Sequence, residues 1–176
     1  MNFAHIVFLD FDGPLFPEKI LLVAENNEDN AMLKELSLHP MVTYWKMEPV
    51  IIAMLNQLYD IRPYFIVVSS SWANLHTKEQ IETLLATNGL HVPLHEDWKI
   101  QLDQDKKAQG IANWIENNKI ADYMIIDDEE SGEEFTHINK IEKLKLSKEK
   151  IIILSPEDGV NMASFFKMKA IVANWD

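Results

Sequence analysis

Apolar residues run almost without interruption through four short stretches of the chain, 5–9, 64–68, 122–126 and 150–154. Strands covered on both faces read this way, because neither face alternates with water. The four therefore predict a parallel sheet buried between helices. Between them the pattern switches to helical spacing. Glu48 and Pro49 precede Ile51, Met54, Leu55 and Leu58, which predicts a helix with proline in its first turn. Thr77 is placed to cap a helix carrying Ile81, Leu84 and Leu85, and Gly89 to end it. Ala108, Ile111, Trp114 and Ile115 define a third helical face. Strands alternating with helices predict a three-layer, Rossmann-like open α/β sheet.

No linker or internal repeat divides the pattern, so the expectation is one domain over residues 1–176, whose 47% hydrophobic content supplies a sizeable core. Residues 14–47 are less regular, carry the polar run AENNEDN, and predict a small lid or flap rather than a large cap. The lysine-bearing INKIEKLKLSKEK alternates with glutamate, as solvated helix faces do.

Charge narrows the partners. The net charge is -12, and Arg62 is the only arginine, so the forked phosphate and base contacts of nucleic-acid readers are scarce. Long nucleic acid is not expected as a partner. The absence of cysteine excludes disulfides, thiolate metal sites and cysteine nucleophiles. The apolar runs are too short to cross a bilayer, and the first residues show no secretion signal, so a cytoplasmic protein without a membrane partner is expected.

The candidate chemistry sits where strands end. The first apolar run leads into DFDG, placing Asp10 and Asp12 two apart; the second leads into Ser69, Ser70 and Ser71; the third leads into Asp127 and Asp128. The carboxyl ends of strands are where open parallel sheets bind ligands. Lys106 and Lys107 open the third helix, where the helix dipole does not favour a cation, so an anionic neighbour is expected. A buried carboxylate costs several kcal/mol unless paired or metal-bound. Two at the end of one core strand therefore call for a cation or a chemical role. His91 and His95 are four apart, but Pro93 between them argues against one helical face, and they are expected as loop residues rather than zinc ligands.

The order carboxylate pair, hydroxyl, lysine, carboxylate pair resembles the haloacid dehalogenase (HAD) superfamily of phosphohydrolases. Within it, FLDFDG, VVSSSW and IIDD look most like the small domains associated with RNA-repair proteins. The resemblance implies a HAD-like sheet with a minimal cap and a Mg²⁺-dependent phosphatase that works through an aspartyl-phosphate. It implies Asp10 as nucleophile and Asp12 as general acid and base. It also implies Ser70 and Ser71 as phosphoryl-binding hydroxyls, Lys107 as charge-neutralising cation, and Asp10, Asp12, Asp127 and Asp128 as metal site. Lys106 and Ser69 remain alternatives for their neighbours. Two positions depart from the pattern: Pro14 follows the motif glycine, and Ala73 follows Trp72 where many similar domains have arginine.

The chemistry asks for these types independently of any family. A carboxylate attacking a phosphate dianion needs a divalent cation and a lysine to offset repulsion, and a second carboxylate to move the proton. The implied substrate is a phosphorylated small molecule, a phosphoprotein or a nucleic-acid end. A receiver domain would instead end a mid-chain strand in its phosphorylated aspartate, and here that strand ends in serines. A non-catalytic binding module on the same fold is the remaining alternative, which turnover alone separates.

Overall fold

In a computed structural model, residues 4–21, 45–101, 106–129 and 133–175 are described. Most of the expected lid, residues 22–44 with its AENNEDN run, lies outside them.

Five parallel strands form one sheet: β1 (Ala4–Leu9), β2 (Phe65–Val68), β3 (Leu94–Lys99), β4 (Ile120–Asp128) and β5 (Ile151–Leu154). Four are the apolar runs of the sequence. Their order is β3-β2-β1-β4-β5, so the chain winds outward from β1 on one side, then returns to build on the other. The crevice between β1 and β4 is thus the topological switch point of the sheet.

Side-chain alternation divides the core into two layers. Val7 and Leu9 of β1 and Met124 and Ile126 of β4 enter one cluster, together with α1 (Pro49–Ile61), α2 (Lys78–Thr87) and the C-terminal α5 (Met162–Ala173). Ile6, Phe8, Tyr123 and Ile125 face the opposite layer, where α3 (Lys107–Asn117) and α4 (Ile138–Lys143) contribute Ile111, Trp114 and Ile141. The three-layer α/β arrangement expected from the sequence is therefore the observed one.

Local signals act as expected. Glu48 caps α1 by accepting from Val50 N, with proline in the first turn. Thr77 and Gln80 form a reciprocal capping box on α2, and Gly89 follows its end at φ 84°. One expectation fails. His95 lies in β3, not in a loop, with its Nδ1 accepting from Asp97 N and its ring against Phe65 and Trp114. Among the described residues no helix is long and apolar enough to cross a membrane.

Candidate active site

Register sets the site. Leu9 pairs with Val68 on one side and Ile126 on the other, and the ladder continues one step, with Asp10 N donating to Ile126 O and Ser69 N donating to Leu9 O. Asp10, Ser69 and Asp127 consequently stand level across the carboxyl edge of three neighbouring strands.

Strand parity then aims them. Asp10 follows Ile6 and Phe8 at alternate positions, and Asp127 follows Tyr123 and Ile125, so both point to the layer covered by α3. The first residue of that helix is Lys107, whose Nζ lies 3.2 Å from Asp10 Oδ2, 2.9 Å from Asp127 Oδ2 and 3.0 Å from Asp127 Oδ1. Lys106 is exposed. Of the two lysines that the sequence left open, Lys107 is the one brought to the carboxylates. Burial alone would lower its pKa, but attraction to Asp127 and Asp10 outweighs burial, and the ammonium is held above its ordinary value.

Asp10, Asp127 and Asp128 are all buried, and each offers an oxygen within 4.8 Å of the others. Three converging carboxylates, two of them paired with the Lys107 ammonium, form a hard-oxygen donor set that suits a divalent cation such as Mg²⁺ or Ca²⁺. The turn that carries Asp12 is packed onto this cluster at Gly13, which has φ +78°; a Cβ there would lie 2.5 Å from Asp128 Cβ and Oδ2. Only glycine meets both demands. The turn is closed by Leu15 N and Phe16 N donating to Phe11 O, and by Gly13 N donating to Phe16 O.

Asp12, although much of the residue is exposed, is engaged elsewhere. Its two carboxylate oxygens accept from Trp72 Nε1 at 3.2 and 3.1 Å. Desolvation of this carboxyl, followed by the charge of Asp10, pushes its pKa above the ordinary carboxylate value, against the Trp72 bond, which lowers it. Phe11, between the two aspartates, turns into the opposite core cluster, as alternation requires.

The serines divide by burial. Ser69 and Ser70 are buried and Ser71 is exposed. Ser70 Oγ accepts from Trp72 N at 3.4 Å, while Ser69 Oγ is buried with no hydrogen-bond partner among the described residues. A buried hydroxyl level with Asp10 and lacking a partner among the described residues is a group that a ligand oxygen would satisfy.

Trp72 is the site residue that sequence reasoning missed as a participant. It opens the helical turn Trp72–Leu75 directly after the serines, stacks on Phe16, and meets Phe11 and Trp45. A tryptophan after three small hydroxyls is legible as an anomaly, but its contact with a carboxylate 60 positions away is not.

A family model described as the HAD domain in Swiss Army Knife RNA repair proteins matches residues 6–161. The matched span takes in both aspartate pairs, the serines and Lys107, and ends just before α5. No curated protein and no solved structure matches the chain significantly.

Proposed function

The chain belongs to the family of HAD domains found in Swiss Army Knife RNA repair proteins, and from that premise we propose that it is a Mg²⁺-dependent phosphatase that removes a terminal phosphate from a polynucleotide. The observation that carries the reading is the bridge of Lys107 between Asp10 and Asp127 at the β1/β4 crevice, beside Asp128.

Asp10 attacks phosphorus through a carboxylate oxygen, forming an aspartyl-phosphate as the bond to the leaving oxygen breaks. Asp12, whose pKa is pushed up by burial and then by the charge of Asp10, is placed to give the leaving oxygen its proton. In the second half-reaction the Asp12 carboxylate accepts a proton from water as the water oxygen bonds to phosphorus and the Asp10 oxygen departs. Ser69 and Ser70 offer hydroxyl donors to phosphoryl oxygens, with Ser71 at the exposed rim, and Lys107 offsets negative charge beside the nucleophile. Asp10, Asp127 and Asp128 would hold Mg²⁺, with Asp12 beside them; when bound, the ion lowers the repulsion between the carboxylates and the phosphate.

Two features support an end rather than a length of nucleic acid as substrate. The family's description names RNA repair, and the chain carries a single arginine in a net charge of -12, which disfavours extended backbone contacts. Phosphate release from 3′- and 5′-phosphorylated oligonucleotides, a phosphopeptide and small phosphomonoesters, each in Mg²⁺ and in EDTA, tests the reading. Mg²⁺-dependent release from an oligonucleotide end, lost in Asp10→Asn, is expected. Absence of release from every ester leaves a non-catalytic module; preference for a free metabolite or a phosphopeptide overturns the substrate class.

A further inference from the structure

An aspartate on the outer side of a tight turn samples several rotamers unless something fixes it. Here a single donor spans both Asp12 oxygens, the indole Nε1 of Trp72 at 3.2 and 3.1 Å. The ring that bears the donor is itself held. Phe16 stacks on it with 5.0 Å between centroids and 14° between planes, Trp45 meets it edge-on at 5.5 Å, and Phe11 and His76 approach at 5.8 and 5.7 Å. Its backbone is tied to the serine turn through Trp72 N to Ser70 Oγ. Two of these clamping residues, Phe11 and Phe16, belong to the same turn as Asp12, and Phe16 also pairs with Asp12 through the backbone. Turn and indole therefore pack as one unit.

From this geometry we propose that Trp72 is a positioning residue for proton transfer: its indole N–H fixes the plane of the Asp12 carboxyl, so that one oxygen is presented to the leaving group while the donor spans the pair. The assignment rests on the reading of Asp12 as the proton donor, and Trp72 acts through that carboxyl. A rigid aromatic does this well, because the side chain has few rotamers to lose and its packing is already satisfied within the fold. Misplacing a reacting group by about 1 Å costs up to about a hundredfold in rate, so loss of the N–H should be felt where the proton matters.

The experiment uses Trp72→Phe, which keeps an aromatic ring and removes the donor, with its unfolding midpoint as a control. If this variant does not fold, isosteric 3-benzothienylalanine at position 72 replaces it. For an alkyl phosphate, whose leaving oxygen needs a proton, kcat/KM should fall by about ten- to a hundredfold, within the range of general acid catalysis. For p-nitrophenyl phosphate the loss should be about tenfold smaller, since that leaving group departs without a proton. The alkyl loss should lie in kcat with KM little changed, and should vanish in an Asp12→Asn background. Independently of turnover, the ¹H–¹⁵N indole signal of Trp72, identified by its absence in Trp72→Phe, should move upfield in Asp12→Ala. Equal losses on both esters, additive losses in the double variant, or an indole signal indifferent to Asp12 would each overturn the proposal. A wild-type protein that hydrolyses no ester refutes the phosphatase reading instead, and the indole signal alone then decides whether Trp72 holds Asp12.

Discussion

The Lys107 ammonium lies 2.9 Å from Asp127 Oδ2, an ion pair between the first residue of α3 and the end of β4, with side chains 11% and 0% exposed. Asp10 Oδ2 completes the bridge at 3.2 Å. Removing one partner of such a pair leaves uncompensated charge in a desolvated place, which costs about 3–5 kcal/mol. Lys107→Gln should therefore lower stability by roughly that amount in EDTA.

The pH dependence of this contribution follows from the direction of the shift. Lys107 is held above its ordinary 10.5 in the folded protein, so its stabilisation is fully present below 10.5 and is lost as pH rises through the folded value. Urea unfolding of wild type and Lys107→Gln, both in EDTA, at neutral pH and above pH 10.5 checks this. The gap in unfolding free energy should narrow at high pH; a constant gap would assign it to packing of the lysine stem.

Strand ends were legible because the sheet and the chemistry use different residue types in immediate succession. Ile6–Leu9 had to be buried on both faces, so the carboxylates that follow had to stand at its rim. The edge strand β3 was not legible: its sequence LHEDWK exposes Glu96 and Asp97, and one covered face leaves no apolar run. The choice between Lys106 and Lys107 also needed the fold, since it depends on which residue of the first helical turn faces the sheet. Helix α5 escaped because its buried residues Phe165, Met168 and Val172 lie among equally apolar exposed ones such as Met162 and Phe166.

Gly13→Ala should disable the cluster while every one of its aspartates is kept. The added methyl would sit 2.5 Å from Asp128 Oδ2 in a backbone conformation, φ +78°, that alanine disfavours. Strain at such a position costs on the order of 1–3 kcal/mol, and relief requires Asp128 or the turn to move. The expected outcome is a lower unfolding midpoint in EDTA and a metal-induced shift much smaller than that of wild type. A variant that binds Mg²⁺ as wild type does would show that the turn yields and the cluster stays intact.

Mg²⁺ itself should raise the melting temperature. Asp10, Asp127 and Asp128 repel one another in the folded state, and a cation that binds only there stabilises by mass action, about 2.7 kcal/mol at a hundredfold excess over Kd. Calorimetric scans in EDTA and in millimolar Mg²⁺ measure this. Identical scans with no heat of binding would remove the metal site from the account, whereas a shift abolished in Asp128→Asn would assign it to these residues.

Asp10→Asn and Asp12→Asn should fail differently, because one removes the attacking oxygen and the other removes only the proton carrier. Loss of general acid–base catalysis costs about a hundred- to ten-thousandfold in rate. Asp12→Asn should therefore keep some activity toward p-nitrophenyl phosphate, whose release needs no proton, and should accumulate phosphoenzyme because hydrolysis then lacks its base. Asp10→Asn should do neither. The direction of the Asp12 shift adds a second signature. Its pKa is raised, so the proton needed by an alkyl leaving group persists to a higher pH than an ordinary aspartate would allow. In wild type, kcat/KM for an alkyl phosphate should decline as pH rises through that value, and the decline should disappear in Asp12→Asn. Rapid-quench mass spectrometry of the two variants locates the adduct, roughly 80 Da for one phosphoryl group, as nucleophilic catalysis requires. An adduct on a peptide lacking Asp10, or normal turnover by Asp10→Asn, would reverse the assignment of nucleophile.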